Sequence, residues 1–415
     1  MFGLFRIAAR NLRRNLRRTL ITGLAIAGGL SLLIWTDTLS QGTYDALIRK
    51  GVSTMAGHVV VQAEGYEAEP DMHKLVSDAA AVQDKLQAAL PDATIVSRAQ
   101  VQGLLQSTRN TAGVAAVGVD PVGEPKVSDW HEKVLVEGTK PGAWLEEGDD
   151  KGILLGEELA VTLEVKVGDK VVLMAQGEDE VVNRLFRVRG LFRTGAAEID
   201  GSMALITLGA AQAVLKRPDS ATQVSVHLDD PRKVPEALAS VRAALPSDGV
   251  EILPWQEALP EMYQFTVMDR QSARAMFFVM GVIVAMGVLN TVLMSVMERM
   301  REFGVMLALG TRPSQVFRVI LLEGVLLGLF ATAIGAAGGI ILTIPTIIYG
   351  IDYGAMMGEN VEIAGISMDA QVYAAWNWPG TIGFCIAAWV MTVGSSLWPA
   401  WKAARLEPVQ AMRHV

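Results

Sequence analysis

The sequence predicts an α-helical membrane protein with four transmembrane helices plus a large α+β extracytoplasmic domain inserted between helices 1 and 2. Three observations lead to this fold class. Of 415 residues, 51% are hydrophobic and 6% aromatic, too apolar for an ordinary soluble protein of this length. Four stretches are uncharged, or nearly so, over a length that approaches or spans a hydrocarbon core of roughly 30 Å. The charges between Gln41 and Gln271 are unbalanced, 35 acidic against 22 basic, which excludes a nucleic-acid surface there.

Residues 1–18 carry Arg6, Arg10, Arg13, Arg14, Arg17 and Arg18 and no acid. Arg6, Arg10, Arg13 and Arg17 recur at helical spacing opposite Phe5, Ala8, Ala9 and Leu12, so the segment reads either as a cytoplasmic interfacial helix or as plain positive-inside anchoring. The first span is expected at 19–40. A signal peptide shares the basic start, but this stretch ends in Trp35, Thr36 and Asp37 with no small-residue cleavage site, so it reads as an uncleaved anchor. The further spans are expected at 273–297, at 313–350 with Glu323 inside it, and at 376–399. Arg299, Arg301, Arg312 and Arg318 follow span two, and Lys402, Arg405 and Arg413 lie in the tail 400–415, which puts both termini in the cytoplasm. The loop 351–375 carries Asp352, Glu359, Glu362 and Asp369 without Lys or Arg, as an outer loop should. Trp376 and Trp378 at one end of span four, and Trp398 and Trp401 at the other, suit the two interfacial belts.

Within the outer domain, 41–272, strands are expected at 58–62, 93–98, 114–119, 170–174, 185–189 and 223–228, and helices at 77–90, 209–215 and 234–245. No G-x-S-x-G, H-E-x-x-H or carboxylate pair with a partner histidine occurs, which points to binding or force transmission rather than catalysis. The clusters Glu146, Glu147, Asp149, Asp150 and Glu178, Asp179, Glu180 sit beside glycines and read as solvated loops rather than calcium sites. A single cysteine, Cys385, allows neither an internal disulfide nor a thiolate zinc site. His58, His73, His131, His227 and His414 are scattered without ligand spacing and read as surface or turn residues, so no metal is assigned.

No G-x-x-x-x-G-K-[ST] loop is present, so the chain binds no cofactor of its own and any ATP is hydrolysed by a partner. The few intramembrane charges and only four spans disfavour an ion-coupled carrier and suggest a dimer of such subunits. Gly324 with Gly328 and Gly335 with Gly339 permit close helix contact, within one subunit or at a dimer seam. Glu323 reads as a structural polar group or as part of a coupling path. After span two, Glu298 and Glu302 are expected on one face of a short helix at 298–312. Gly310 ends it, Thr311 caps the next helix, and Gly304 marks a close approach of another backbone.

Here the chain resembles the four-helix ABC permeases that include lipoprotein-releasing LolC/LolE, MacB and FtsX. The run after span two is similar to that family's E-R-x-x-E-[FIV]-G-[VI]-x-x-A-[LI]-G signature through Glu298, Arg299, Glu302, Phe303, Gly304, Val305, Ala308, Leu309 and Gly310. The end is similar through Pro399, Ala400, Ala403, Ala404, Arg405, Leu406, Pro408, Val409, Ala411, Met412 and Arg413. Looser likeness runs through Gly57 to Val61, Gly118 to Pro121, Gly156 to Ala160 and Val167 to Asp169. The resemblance implies a periplasmic MacB-like domain of two α+β lobes and a multi-pass protein of the bacterial inner membrane. It implies that Glu298, Arg299, Arg301, Glu302, Phe303, Gly304, Ala308 and Gly310 form a coupling helix on a cytoplasmic ABC ATPase dimer that binds ATP and Mg. It also implies a second permease chain, identical or homologous, and mechanotransmission to the outer domains. Because a MacB chain carries its own ATPase in front and FtsX a much smaller outer domain, LolC/LolE-like architecture fits best, with lipoproteins or other lipid-linked molecules as substrate and substrate-binding residues unassigned. Alternatives are a MacB-like tripartite efflux permease with a periplasmic adaptor, or a membrane-anchored sensor or scaffold.

Overall fold

A computed structural model describes residues 2–14, 16–69, 71, 73–136, 141–176, 180–245, 249–354, 361–363, 366–368 and 371–405. The expectations on Glu178, Asp179, Glu359, Asp369, His414 and the run from Leu406 to Arg413 lie outside these residues. The helices, in chain order, are α1 (Phe2–Arg14), α2 (Leu16–Gly51), α3 (Ala79–Ala89), α4 (Glu157–Leu163), α5 (Ala197–Ser202), α6 (Leu208–Leu215), α7 (Val234–Ala244), α8 (Trp255–Ala258), α9 (Pro260–Glu298), α10 (Met300–Ala308), α11 (Pro313–Ile348) and α12 (Trp378–Ala404). The strands are β1 (Val59–Ala63), β2 (Val76–Ser77), β3 (Thr94–Gln106), β4 (Thr111–Val119), β5 (Gly152–Gly156), β6 (Lys170–Gln176), β7 (Val181–Phe192), β8 (Met203–Thr207), β9 (Ser220–Ala221), β10 (Gln223–His227) and β11 (Val250–Pro254), followed by four short ones, β12 (Ile351–Asp352), β13 (Val361–Ile363), β14 (Ile366–Met368) and β15 (Gln371–Val372).

The chain forms two compact units, one of Met1–Asp45, Val267–Ile351 and Gln371–Val415, the other of Ala46–Thr266 and Asp352–Ala370. Among the described residues, four helices are long and apolar enough to cross a membrane: Thr19–Ala56, Pro260–Glu298, Pro313–Ile348 and Trp378–Ala404. The first two continue as helix beyond the span edges expected at 40 and 273, and the division between the units falls inside both. In the helical unit, α11 is the central element, and its glycines set its distance from its neighbours. A Cβ on Gly339 would stand 2.8 Å from Ile34 Cβ of α2, and one on Gly328 would stand 3.2 Å from Trp389 Cδ1 of α12. Both glycine pairs thus serve packing within the chain. Polar side chains tie the same seam: Ser31 Oγ donates to the Gly335 carbonyl at 2.9 Å, and the Thr38 and Thr343 hydroxyls meet at 3.1 Å.

The other unit is built on one sheet of order β11-β1-β10-β3-β4-β8-β5-β7-β6, in which β6 also pairs back to β3. The strands from β3 to β6 therefore close on themselves, and the long strand β3 belongs to two lobes. Its first half, Thr94 to Arg98, pairs with β10 in an antiparallel sheet, and its second half, Ala99 to Gln106, pairs with β4 in the closed one. The first lobe buries Val59, Val61, Val224 and Val226 against Leu86 of α3 and Val241 of α7. The second buries Val101, Leu105, Ile153, Phe186 and Ile206 against Leu159 of α4 and Val214 of α6. β5 and β8, absent from the sequence reading, are almost wholly buried runs without the alternation that marks a half-exposed strand, and each makes a parallel pairing, with β7 and β4 respectively. β11 is short and ends in proline, which leaves it no strand signature in the sequence. β3 and β7 run well past the expected limits.

The joint between lobes is charged. Arg98, the last residue of the β10 pairing, is 3% exposed and Glu124, in a 3₁₀ turn after β4, is 0% exposed. Arg98 donates through Nε at 3.1 Å and Nη2 at 2.6 Å to the two Glu124 oxygens, and Ser128 Oγ donates to Glu124 at 2.8 Å. The guanidinium also donates to the carbonyls of Ser53 and Thr54 at 3.0 and 2.9 Å, in the π-helical turn Val52–Ala56 that ends α2. A helix end leaves carbonyls without partners and carries negative partial charge, so a buried cation satisfies both there. Gly57 follows with φ of 86°, and a Cβ on it would stand 2.9 Å from Ser225 Cβ, so glycine is required for α2 to turn into β1.

His58 and His227, expected at the surface or in turns, lie side by side with ring centroids 6.4 Å apart, His58 half-buried and His227 buried. The backbone N–H of Leu228 donates to His58 Nδ1 at 3.1 Å, while His227 Nε2 is buried without a partner. Burial lowers the pKa of His58, and burial, then the Arg98 charge, then His58 lower that of His227 to about 3.

Two outcomes follow from the joint and from the histidine pair. Arg98→Met leaves Glu124 charged and unpaired, destabilising the chain by about 3–5 kcal/mol, whereas Arg98→Met with Glu124→Leu recovers most of that loss. Thermal unfolding of both variants in detergent checks this; equal losses would show that the pair is not the joint. Because the folded pKa of His227 lies below the unfolded value near 6.5, its neutral form stabilises the fold above that pH, and stability falls as pH drops toward 3. The wild type should lose up to about 1.4 kcal/mol per pH unit more than His227→Gln in this window. Parallel stability–pH curves for the two would count against it.

Candidate coupling site

The segment after the second long helix is not one helix. α9 ends at Glu298, Arg299 leaves helical geometry at φ −105° and ψ 10°, and α10 begins at Met300. Glu298 and Glu302, expected on one helical face, therefore belong to different helices. Gly310, at φ 90°, ends α10, with the Gly310 N–H donating to the Leu307 carbonyl and the Thr311 N–H to that of Met306, each at 3.0 Å. Thr311 does not cap the next helix. Gln315 Oε1 instead accepts at 3.2 Å from the N–H of Arg312, the residue just before Pro313 in the first position of α11.

The inner face of α10 is held by packing. Phe303 is 1% exposed and lies among Val296, Val316, Ile320, Ala400 and Ala403, so α10 rests on α9, α11 and α12 together. Gly304 is buried beside it. The Arg299 guanidinium lies 4.9 Å from the Phe303 ring centroid. Ala400 and Ala403, from the closing sequence run, have this packing role, while Lys402 and Arg405 stack on Trp398 and Trp401 at 5.2 and 4.3 Å.

A polar network holds the same helix at its start. Arg299 Nη1 donates to Glu323 at 3.0 Å, and Asn11 Nδ2 of α1 donates to the same carboxylate at 2.7 Å. Arg299 Nε donates to Glu302 at 3.1 Å, and Arg14 of α1 pairs with Glu302 as well. Partial burial would raise the Glu302 pKa, but hydrogen bonds from Arg14 and Arg299 hold its carboxyl below the usual range. α1, α10, α11 and the Arg299 link between α9 and α10 are thus joined through two carboxylates.

The outer face is left exposed. Glu298, Arg301, Val305, Ala308, Leu309 and Gly310 all face solvent, Leu309 at 82%. Of the expected coupling residues, the structure gathers Arg299, Glu302, Phe303 and Gly304 as the anchor and leaves Glu298, Arg301, Ala308 and Gly310 on the surface. Asn11 and Arg14 were not singled out by sequence reasoning. The available signal was Glu323, since a carboxylate in an otherwise uncharged span needs a partner, and Asn11 and Arg14 stand one turn apart on the preceding basic helix.

Residues 19–244 match the family described as MacB-like periplasmic core domain, and residues 274–408 match the FtsX-like permease C-terminal family. The chain is 29% identical over 412 residues to the lipoprotein-releasing system transmembrane protein LolC of Xylella fastidiosa, covering 94% of this chain and 92% of that one. It is 24% identical over 404 residues to LolE of the same system in Haemophilus influenzae, covering 94% and 93%. Among solved structures, the periplasmic region of MacB from Actinobacillus actinomycetemcomitans aligns at 12% identity and a TM-score of 0.34, over 54% of this chain and 94% of that one. The chain belongs to the multi-pass ABC-transporter permeases that join a MacB-like periplasmic core domain to an FtsX-like permease C-terminal domain.

Proposed function

We propose that this permease transmits motion from a separate cytoplasmic ABC ATPase dimer, which binds ATP and Mg, to its own outer unit, and that this motion extracts lipoproteins or other lipid-linked substrates from the bacterial inner membrane. The observation that carries the reading is α10, a short helix anchored on one side by Phe303 and the Glu302–Arg299–Glu323 network and exposing Arg301, Val305 and Leu309 on the other. An exposed leucine on a fixed helix suits a groove in a soluble partner. The substrate class rests on the relatives, whose names place them in a lipoprotein-releasing system over nearly their whole length.

The route for motion is short. β1 follows α2 directly, β11 leads through α8 into α9, and these two strands are neighbours with Val59 opposite Pro254. Leu47 and Met262 pack in one cluster with Trp255 and Leu259, so the ends of both helices are fixed to one lobe. In this reading both termini and α10 lie in the cytoplasm, the outer unit lies in the periplasm, and a second permease chain, identical or homologous, completes the transporter.

The test is purification of tagged wild type, Glu302→Ala and Leu309→Asp from native membranes, with ATPase recovery and substrate-stimulated hydrolysis measured on each. Leu309→Asp should retain at least about tenfold less ATPase, near 1.4 kcal/mol of contact energy. Glu302→Ala should keep the fold and bind ATPase but lose stimulated hydrolysis. Full recovery and full stimulation in both variants would remove α10 as the coupling surface. Recovery of a periplasmic adaptor in place of acylated lipoproteins would replace the lipoprotein reading with tripartite efflux.

A further inference from the structure

α2, α9 and α12 enclose two cavities within the helical unit that meet along a common wall of Phe277, Phe384 and Ala387. One, of about 480 Å³, is polar, with Asp37, Arg270, Arg274 and Asn377 on its walls. The other, of about 280 Å³, is walled by side chains such as Ile26, Leu30, Val284, Val288 and Met391, and its one hydroxyl, on Thr392, is already spent on the Ala388 carbonyl at 2.8 Å. A cavity of this second kind offers water no partners and holds apolar matter instead.

The charges of the polar cavity are fixed in place. Arg270 lies over the Tyr44 ring at 4.9 Å, and the Tyr44 hydroxyl is bonded to Asp269. Asn377 caps α12 by accepting from the Gly380 N–H and, through Nδ2, donates to Asp37 at 3.1 Å. Arg274 stands one turn from Arg270 on α9 and, among the described residues, has no ion-pair partner. Single arginines at a span end need no ligand, since they snorkel to the interface. Two on one wall, facing a fixed carboxylate above an apolar slot, form an amphiphile's negative image: guanidinium groups bind phosphate bidentately, a carboxylate binds an ammonium, and the slot receives an acyl chain.

We infer that this double cavity binds one membrane glycerophospholipid with an amine headgroup, its phosphate at Arg270 and Arg274, its ammonium at Asp37 and one acyl chain against Val284 and Met391. The lipid is a resident of the permease, chemically distinct from an acylated polypeptide, which brings chains but no phosphodiester. It fills the seam between α2, α9 and α12 and so holds apart helices that would otherwise have to collapse onto each other.

Native mass spectrometry of the full chain, purified in its complex and reconstituted in nanodiscs of phosphatidylethanolamine, reads occupancy directly and without ATP. The wild type should release with one phospholipid bound. Arg270→Gln with Arg274→Gln should lower occupancy about tenfold or more, and Ala387→Trp, which fills the common wall from an exposed position, should abolish it. Ile382→Trp, on the same helix but outside both cavities, should retain it. Equal occupancy in all four, no lipid on the wild type because a second chain fills the slot, or an acylated polypeptide in its place would each overturn the inference. None of these results depends on how α10 meets an ATPase.

Discussion

The bidentate pair of Arg98 and Glu124 is the constraint on which the outer unit depends. Removing two such charges from water is expensive by several kcal/mol each, and the expense is met only when every donor and lone pair is used. Here the carboxylate takes two guanidinium bonds and one from Ser128, while two more guanidinium hydrogens go to the carbonyls of Ser53 and Thr54. Three parts of the chain that are distant in sequence, the end of α2, the middle of β3 and the turn after β4, must therefore assemble together. Apolar packing alone would tolerate some slippage between lobes; a charge pair at 3% and 0% exposure does not.

From this joint the shape of the unit follows. β3 carries two pairing schemes end to end, antiparallel with β10 and then with β4 and β6, and Arg98 stands where one gives way to the other. The lobe on the β10 side receives α2 through β1 and sends out α9 from β11. Both helix ends are thereby continuous with a sheet whose core of valines is closely packed, and the shared strand β3 joins that sheet to the closed lobe. Packed cores transmit strain rather than absorb it.

The sequence carried the membrane part and the signature around α10 clearly, because long uncharged stretches and their basic flanks are read residue by residue. It carried less of the outer unit. Strands β3, β4, β6, β7 and β10 announced themselves through β-branched residues, but β5 and β8 are buried runs with no period to read. The closure of β6 onto β3, and the burial of Arg98, Glu124 and His227, depend on contacts between residues far apart in the chain, and no local pattern encodes them. The same holds for the α10 site. Its own residues were legible, whereas Asn11 and Arg14, some three hundred positions away, become part of it only because α1 packs on α11.

One device recurs at the ends of the two long helices that link the units. At the end of α2 an arginine from β3 takes the terminal carbonyls and is held by a buried glutamate; at the end of α9, Arg299 follows the last helical residue and is held by Glu323 and Glu302. A cation at a helix C-terminus is favourable in itself, and a second, anionic partner fixes its position as well. Each of these cations is thus held by a carboxylate as well as by its place at the helix end, and a charge fixed from two sides keeps that end ordered.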